Sequence, residues 1–307
     1  MTAATSAPTP APGQELRPRT SRRRRAQART AWLFLSPAVV FFTLLFFLPI
    51  GNQFLAGAYG GAGGTEYVGA GNFVRALQDP EVQHSFWITV VYAVGTLVIG
   101  IAIGLGLAVI LNQALPGRTL FRSVLLIPYL TSVSIVGLLW RNILDPQIGI
   151  LNRVLDALGL PGQTWLNTAP LATIIGITVW SSAGYTMVLF LAGLQGIPSV
   201  YYEAARIDGA GPWRRFFSIT LPLLAPTTLF VCIIGVISAL QQFALPYIVT
   251  GGGPGNATSL YAHRLFSVAF ETNQFGYASA LSMLLLVVIL VLSVVQLKIG
   301  DRTHDAA

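Results

Sequence analysis

Glu203-Ala204-Ala205-Arg206-Ile207-Asp208-Gly209-Ala210, continued by Ile219, Leu221 and Pro222, is a short polar island in a chain that is otherwise apolar over long stretches. Residues 157–202 before it and 216–262 after it contain no Asp, Glu, Lys, Arg or His. A helix rises about 1.5 Å per residue and crosses the hydrocarbon core of a bilayer in roughly twenty residues, so each flank is long enough to hold a membrane span. The island then reads as a connection between two spans, and the rest of the sequence repeats the pattern. Charge-free windows at 31–65, 85–117, 123–140, 157–202, 216–262 and 272–297 each hold an apolar core of spanning length. They predict an all-α membrane protein of six helices centred near Phe42, Gly100, Val133, Val179, Ile233 and Val287. Composition agrees: hydrophobic residues are 54% of the 307 positions and charged ones 9%, against roughly 25% charged in a soluble domain.

An even number of spans puts both termini on one side, and the basic residues choose it. Of the 18 Lys and Arg residues, Arg17, Arg19, Arg22, Arg23, Arg24, Arg25, Arg29, Arg118, Arg122, Arg206, Arg214, Arg215, Lys298 and Arg302 lie at the termini or in the second and fourth connections. Only Arg75, Arg141, Arg153 and Arg264 lie in the other three. Lys and Arg are retained on the cytoplasmic side, so both termini and the Glu203 island are expected inside. The net charge of +7 is then mainly a topology signal, and the Arg22–Arg25 run reads as an anchor near anionic lipid, with no nucleic-acid partner expected. Residues 1–30, rich in Ala, Pro, Thr and Arg, are expected to form a disordered tail. The membrane domain follows over 31–299, with its inner loop at 198–222, and a second inner tail over 300–307. The apolar run from Ala31 to Leu48 exceeds a typical secretory core and five more predicted spans follow it, which favours an uncleaved first span. Cys232 stands alone in the fifth window and reads as packing.

The span cores hold no charged side chain, which weakens the case for an ion-driven transporter while leaving room for a sodium site built from backbone carbonyls. His84 and His263 belong to the outer side and His304 to the inner tail, so no buried base is available to a Ser or Cys nucleophile. A Walker A loop needs a Lys after Gly, and the single lysine, Lys298, sits between Leu297 and Ile299. Nucleotide hydrolysis is therefore not expected on this chain, and no catalytic, metal-binding or cofactor-binding residue is assigned to it.

Within the island, Ser199 after Pro198 is placed to N-cap a short helix over 200–208 that Gly209 ends. About nine residues is marginal for a helix in water and needs a surface to dock on. Ala204 and Ala205 keep that helix shallow enough for close approach. Pro212 starts a second short helix through Trp213 to Ile219, and Pro222 interrupts it where the fifth span begins. Two readings stand side by side: a docking helix for a partner, or an interfacial amphipathic connection holding Trp213, Phe216 and Phe217 near lipid. The second accounts poorly for the Ala pair and the glycine spacing.

Glu203-Ala204-Ala205, Gly209 six residues after Glu203, and Ile219, Leu221 and Pro222 resemble the EAA loop of binding-protein-dependent ABC importer permeases. Leu151-Asn152 with Trp165-Leu166, Gly251-Gly252-Gly253-Pro254 with Asn256-Ala257-Thr258, and Ala269-Phe270 with Phe275-Gly276-Tyr277-Ala278 are similar to carbohydrate-uptake permeases. They resemble the maltose and glycerol-phosphate permease type in particular, and the first of its two membrane subunits. The resemblance runs from about Trp32 to Ile299. It implies a type I importer permease fold and a second permease subunit. It further implies an extracytoplasmic solute-binding protein, and a homodimeric or paired cytoplasmic ABC ATPase that carries the ATP and Mg. In such a machine the island is the coupling helix: Glu203 would pair with a basic residue of the ATPase, Ala204 and Ala205 would pack closely against it, and Gly209, beside Asp208, would make the turn.

A sugar route needs polar and aromatic groups facing the bundle interior, because hydroxyls require hydrogen bonds and sugar faces stack on rings. The third, fourth and fifth windows supply Tyr129, Thr131 and Ser132; Ser181, Ser182 and Tyr185; and Ser238, Gln241 and Gln242. Tyr185, eighteen residues before Glu203, and Tyr129, after Pro128, match sugar-contacting tyrosines of maltose-type permeases. Ser182, Ser238 and Gln242 stand where the maltose permease has glycine, phenylalanine and asparagine, so the solute does not follow from the resemblance. The pathway candidates are Tyr129, Ser182, Tyr185, Ser238, Gln241 and Gln242, and the competing reading of such groups is interhelical hydrogen bonding. Pro128 and Pro246 are placed to bend their helices. Two rival functions, an ion-coupled transporter acting alone and a membrane scaffold that moves no solute, do not predict the spacing from Glu203 to Pro222.

Overall fold

The computed structural model describes the backbone of residues 21–61 and 65–304 and the side chains of 27–61 and 65–300. The chain divides into two units, residues 1–52 and 53–307. In the first, α1 (Ser21–Phe42) runs through a π turn, Thr43–Phe47, into the start of α2 (Leu48–Ala56). The π turn is closed by the Leu48 N–H donating to the Thr43 carbonyl, and Pro49 follows at once. Proline has no N–H and its ring crowds the carbonyl four residues back, so it is accommodated where the ladder has slipped by one residue. Every described side chain of 27–52 is exposed, as in a helix that is apolar all round and lies in lipid. The disorder expected over residues 1–30 does not hold for 21–30, which already lie in α1, because the Arg, Ala and Gln of 22–28 are strong helix formers. Residues 1–20 lie outside those described.

The second unit opens with a two-stranded hairpin, β1 (Tyr59–Gly60) and β2 (Glu66–Tyr67), and the short helix α3 (Gly71–Gln78). The long helix α4 (Pro80–Leu111) starts where the sequence chemistry directs: the Asp79 carboxylate accepts the Glu81 N–H at 2.9 Å, and Pro80 takes a first-turn position where a missing N–H costs nothing. Then come α5 (Arg118–Leu130), α6 (Val133–Ile143), α7 (Ile150–Ala157), α8 (Trp165–Thr168) and the second long helix, α9 (Pro170–Gln195). The island forms α10 (Ser199–Ile207). It is followed by α11 (Pro212–Arg215), a π turn at Phe216–Thr220 and α12 (Leu221–Leu223), which together make one segment. The chain ends with α13 (Ala225–Leu240), α14 (Ala244–Val249), α15 (Tyr261–Phe266), a π turn at Ser267–Glu271, and α16 (Phe275–His304).

Among the described residues four helical stretches are long and apolar enough to cross a membrane: Gln27–Ala56, Pro80–Leu111, Pro170–Gln195 and Phe275–Gly300. The protein is thus a mostly helical, multi-pass membrane protein. The third and fifth predicted spans are broken: α5 and α6 meet at 95°, and the segment 212–223 meets α13 at 62°. Six crossings result only if each bent pair is one span. The first break follows Pro128: α5 stops two residues later, Thr131 turns to extended backbone with ψ 141°, and its hydroxyl donates to the Ile127 carbonyl at 2.9 Å. At the second, Pro222 repeats the device seen at Pro49, with the Leu221 N–H donating to the Phe216 carbonyl across a π turn. The bend itself falls later, at Leu224, ahead of Pro226. Pro246 lies in the separate α14, beyond the end of α13, and α16 carries helix past residue 299 to His304.

In the second unit α4 and α9 pack along one another, α5 lies on α9 and α13 on α4. One apolar cluster joins Ile88 and Tyr92 of α4 to Ile174 and Ile177 of α9 and Leu245 of α14. Another joins Ala108 and Leu111 to Met187, Phe190 and Leu194, with Leu224 and Val231. At the start of α4 a polar network ties four elements together. Tyr277 of α16 donates to Asp79 Oδ2 at 2.8 Å, the Arg75 guanidinium lies 4.0 Å over the Tyr277 ring and donates to Gln274 at 2.9 Å, and Arg264 pairs with Glu81. Burial alone would raise the Asp79 carboxyl, but the Tyr277 hydroxyl, the Glu81 and Val82 N–H groups and Arg264 hold it below its ordinary value.

Candidate functional site

Where α4, α5, α9 and α13 converge they enclose a cavity of about 260 Å³. Among the described residues none of its lining is Asp, Glu, Lys, Arg or His. Its polar side chains carry instead hydroxyls and one amide: Tyr92 and Thr96 on α4, Tyr129 on α5, Thr178, Ser181, Ser182, Tyr185 and Thr186 on α9, Ser238 on α13 and Gln242 just past its end. Five of the six pathway residues read from the sequence are therefore brought together. Gln241 is the exception: it is exposed and closes α13 with its N–H on the Ile237 carbonyl. One step along a helix turns a side chain by about 100°, so of two adjacent glutamines only one can face the cavity.

The tyrosines Tyr129 and Tyr185 lie face to face, with ring centroids 4.4 Å apart and planes 6° from parallel. Each ring thus covers one face of the other. The serines are less free, since Ser181 and Ser182 both donate to the Thr178 carbonyl, at 2.9 and 2.8 Å, and retain only lone pairs. Gln242 is positioned by a residue the sequence reading passed over. Its Nε2 donates to the Tyr92 hydroxyl at 3.4 Å, and that hydroxyl meets Thr178 Oγ1 at 2.9 Å. Tyr92 is 1% exposed, and a buried tyrosine needs a partner for its O–H. Its hydroxyl stands in a charge-free run with Thr89 and Thr96 on either side, so nothing in the sequence singled it out. A smaller cavity of about 100 Å³ adjoins the break after α5 and shares Tyr129, Thr178, Ser181 and Gln242 with the first, adding Thr131. Ser132 lines neither.

The second feature is the island. α10 spans Ser199–Ile207 with Pro198, not Ser199, at the N-cap position and no side-chain cap. Proline fills that place because its fixed φ, here −60°, leads into the helix. The C-terminus follows the expected chemistry: Gly209 has φ +73°, the Ala210 N–H donates to the Ala205 carbonyl at 2.8 Å, and the Gly209 N–H donates to the Arg206 carbonyl at 3.1 Å. These are the two bonds of a Schellman ending. Glu203, Ala204, Asp208 and Gly209 are exposed, whereas Ala205 is half-buried on the side of Tyr202. Val200, Ala204 and Ile207 form an exposed apolar stripe at i, i+4, i+7 beside Glu203, with Ile207 88% exposed. The opposite face is fastened to the chain by the Tyr202 hydroxyl, 3.0 Å from Oγ1 of buried Thr220. Thr220 ends the π turn that leads through α12 to α13, so α10 connects to the helix that carries Ser238 and leads into Gln242.

Over residues 97–304 the chain matches the family described as "Binding-protein-dependent transport system inner membrane component". It is 33% identical over 292 residues to the trehalose/maltose transport system permease protein MalF of Thermococcus litoralis, covering 93% of this chain and 98% of that one. It is 34% identical to the sulfoquinovosyl glycerol transport system permease protein SmoG of Agrobacterium fabrum, over 90% and 91% of the two chains. In fold it resembles a chain of a bacterial alginate ABC transporter solved in complex with an alginate pentasaccharide-bound periplasmic protein, with a TM-score of 0.79 at 21% identity over 91% of this chain and 96% of that chain. The matched stretch takes in most of the cavity lining and all of α10, and the relatives align over nearly their whole length. The chain accordingly belongs to the binding-protein-dependent transport system inner membrane components, as a permease subunit and not an enzyme.

Proposed function

We propose that this chain is one of two permease subunits of an ATP-driven importer for a sugar, a polyol or a sugar phosphate, in the inner membrane of a bacterial cell. The observation that carries the solute class is the cavity itself, uncharged, lined by hydroxyls and an amide, and flanked by a tyrosine pair. Such a lining suits a neutral polyhydroxy compound, or the neutral part of one, and suits an inorganic ion poorly. The names of MalF and SmoG, which concern a disaccharide and a glycosyl glycerol, support the same class. With each bent pair counted as one crossing there would be six spans, and the larger share of arginines beside α10 and the termini supports a cytoplasmic place for them. A separate paired ATPase, holding ATP and Mg, would seat on Val200, Glu203, Ala204 and Ile207. A binding protein would deliver solute from the other side.

Movement of the ATPase would then reach the cavity through a short mechanical path, from α10 through Tyr202–Thr220 to the segment 212–223 and α13. Two variants test the reading in the complete importer, reconstituted with its binding protein and assayed for sugar uptake. Tyr185→Ala removes a ring face and the stack with Tyr129 and lowers uptake about tenfold, a loss of the size expected for one buried aromatic contact. Tyr185→Phe keeps the stack and retains most of the uptake. Wild-type uptake by Tyr185→Ala would remove the cavity from the route. Tyr202→Phe leaves Thr220 without its partner and lowers uptake roughly fivefold while ATP hydrolysis continues, matching a hydrogen bond worth about 1 kcal/mol. An unchanged ratio of uptake to hydrolysis would count against Tyr202 as the link.

A further inference from the structure

The two halves of the island present different chemistry. α10 offers small and apolar side chains beside a carboxylate, whereas the segment 212–223 offers aromatic rings beside arginines. Trp213 is 76% exposed and Phe217 58% exposed, and their rings are stacked at 6.2 Å and 18° on one side of the segment. The other side is the one that docks: Thr220 is buried against Tyr202, and Phe216 is half-buried with its ring edge-on to Phe217. Such an aromatic stripe facing outward, with tryptophan at its end, has the character of an interfacial helix.

Direction and length point the same way. The segment lies 62° from α13, nearer perpendicular than parallel to it. α13 has 16 residues and rises about 24 Å, short of the roughly 30 Å hydrocarbon core. Leu221 and Leu223 of α12 are also exposed, so the apolar surface continues from α13 into the near end of the segment, away from Trp213. Arg214 is exposed beside Trp213, and the half-buried Arg215 has an Nε without a hydrogen-bond partner among the described residues. Among the described residues neither arginine forms an ion pair with an Asp or Glu.

We infer that the segment Pro212–Leu223 is a membrane-surface element that binds anionic phospholipid, with Trp213 and Phe217 among the upper acyl chains and Arg214 and Arg215 on the phosphate-bearing headgroup. Guanidinium and phosphate form paired charge-assisted hydrogen bonds, and an arginine near an anionic surface gains roughly fivefold in affinity. The inference rests on the membrane reading of the chain and is independent of the solute. Because Tyr202 and Thr220 join this segment to α10, the lipid would set the position from which the coupling helix works.

The test uses the complete importer, with its other cysteines removed and an environment-sensitive fluorophore attached at Trp213→Cys or Phe217→Cys in a Cys232→Ala background. It is reconstituted with phosphatidylcholine or phosphatidylglycerol carrying a nitroxide on an upper acyl carbon. Both sites are quenched with the ATPase seated, and phosphatidylglycerol quenches more at equal mole fraction, by about fivefold for each arginine on the headgroup. In Arg214→Gln/Arg215→Gln the two lipids quench alike, while uptake still reports an assembled importer. Absence of quenching until the ATPase is stripped away would make the stripe a protein interface and overturn the inference. Equal quenching by the two lipids with both arginines present would overturn its anionic part.

Discussion

Gly184→Ala lowers uptake by roughly a hundredfold and weakens the assembled permease. A Cβ at position 184 would lie 1.9 Å from the Leu125 carbonyl oxygen, 2.5 Å from the Leu125 carbonyl carbon and 2.9 Å from Leu126 Cα. All three are backbone atoms of α5, so no side-chain rotation relieves the clash, and the two helices must move apart. That crossing is next to the cavity: Tyr185 is the following residue on α9, and Tyr129 is one turn beyond Leu125 on α5. Overpacking of this kind costs about 1–3 kcal/mol and occasionally more, and here it also opens the 4.4 Å ring stack. Gly176→Ala on the same helix is the control. Nothing lies within 4 Å of its added Cβ, and alanine favours a helix over glycine by about 1 kcal/mol, so uptake by that variant stays at wild type. Uptake assays and thermal unfolding of both variants decide the matter. A fully active Gly184→Ala would mean that α5 and α9 do not approach as described.

The long helices were legible in the sequence because hydropathy is additive. Twenty apolar residues in a row leave the backbone no partner but itself, and α4, α9 and α16 fall where the charge-free windows lie. The breaks were less legible. Pro128 and Pro222 marked the neighbourhoods, but the turn at Thr131 and the bend at Leu224 depend on which carbonyls find other donors nearby, and that is a property of the folded neighbourhood. The site divides in the same way. Tyr185 and Gln242 could be named from type and spacing, whereas Tyr92 could not, because its partners lie 86 and 150 positions away. Adjacency hid the remaining distinctions: Gln241 from Gln242, and exposed Ala204 from half-buried Ala205. Gly209 was readable from sequence alone because a helix of that length needs a left-handed residue to end it there.

That glycine also gives the sharpest test of the island, because its substitution changes backbone preference and nothing else in this chain. Gly209 has φ +73° with open space around the position of a Cβ, so a side chain meets no neighbour of its own subunit. An L-residue in this conformation costs about 1–2 kcal/mol, and more when it is β-branched. Asparagine tolerates the conformation well. α10 has nine residues and too little intrinsic stability to absorb the strain, so Gly209→Val loosens the Ala210–Ala205 and Gly209–Arg206 hydrogen bonds and lets the last turn fray. The exposed stripe of Val200, Ala204 and Ile207 then loses its end, and Tyr202 no longer holds a fixed helix against Thr220. Gly209→Val is expected to lower uptake roughly thirtyfold, while Gly209→Asn stays within about threefold of wild type. ATP hydrolysis by the assembled importer falls less than uptake in the valine variant, because the engine is intact and its grip is lost. Equal uptake by the valine and wild-type chains would remove α10 from the coupling path, and equal losses in valine and asparagine would show that position 209 acts through a contact and not through its backbone.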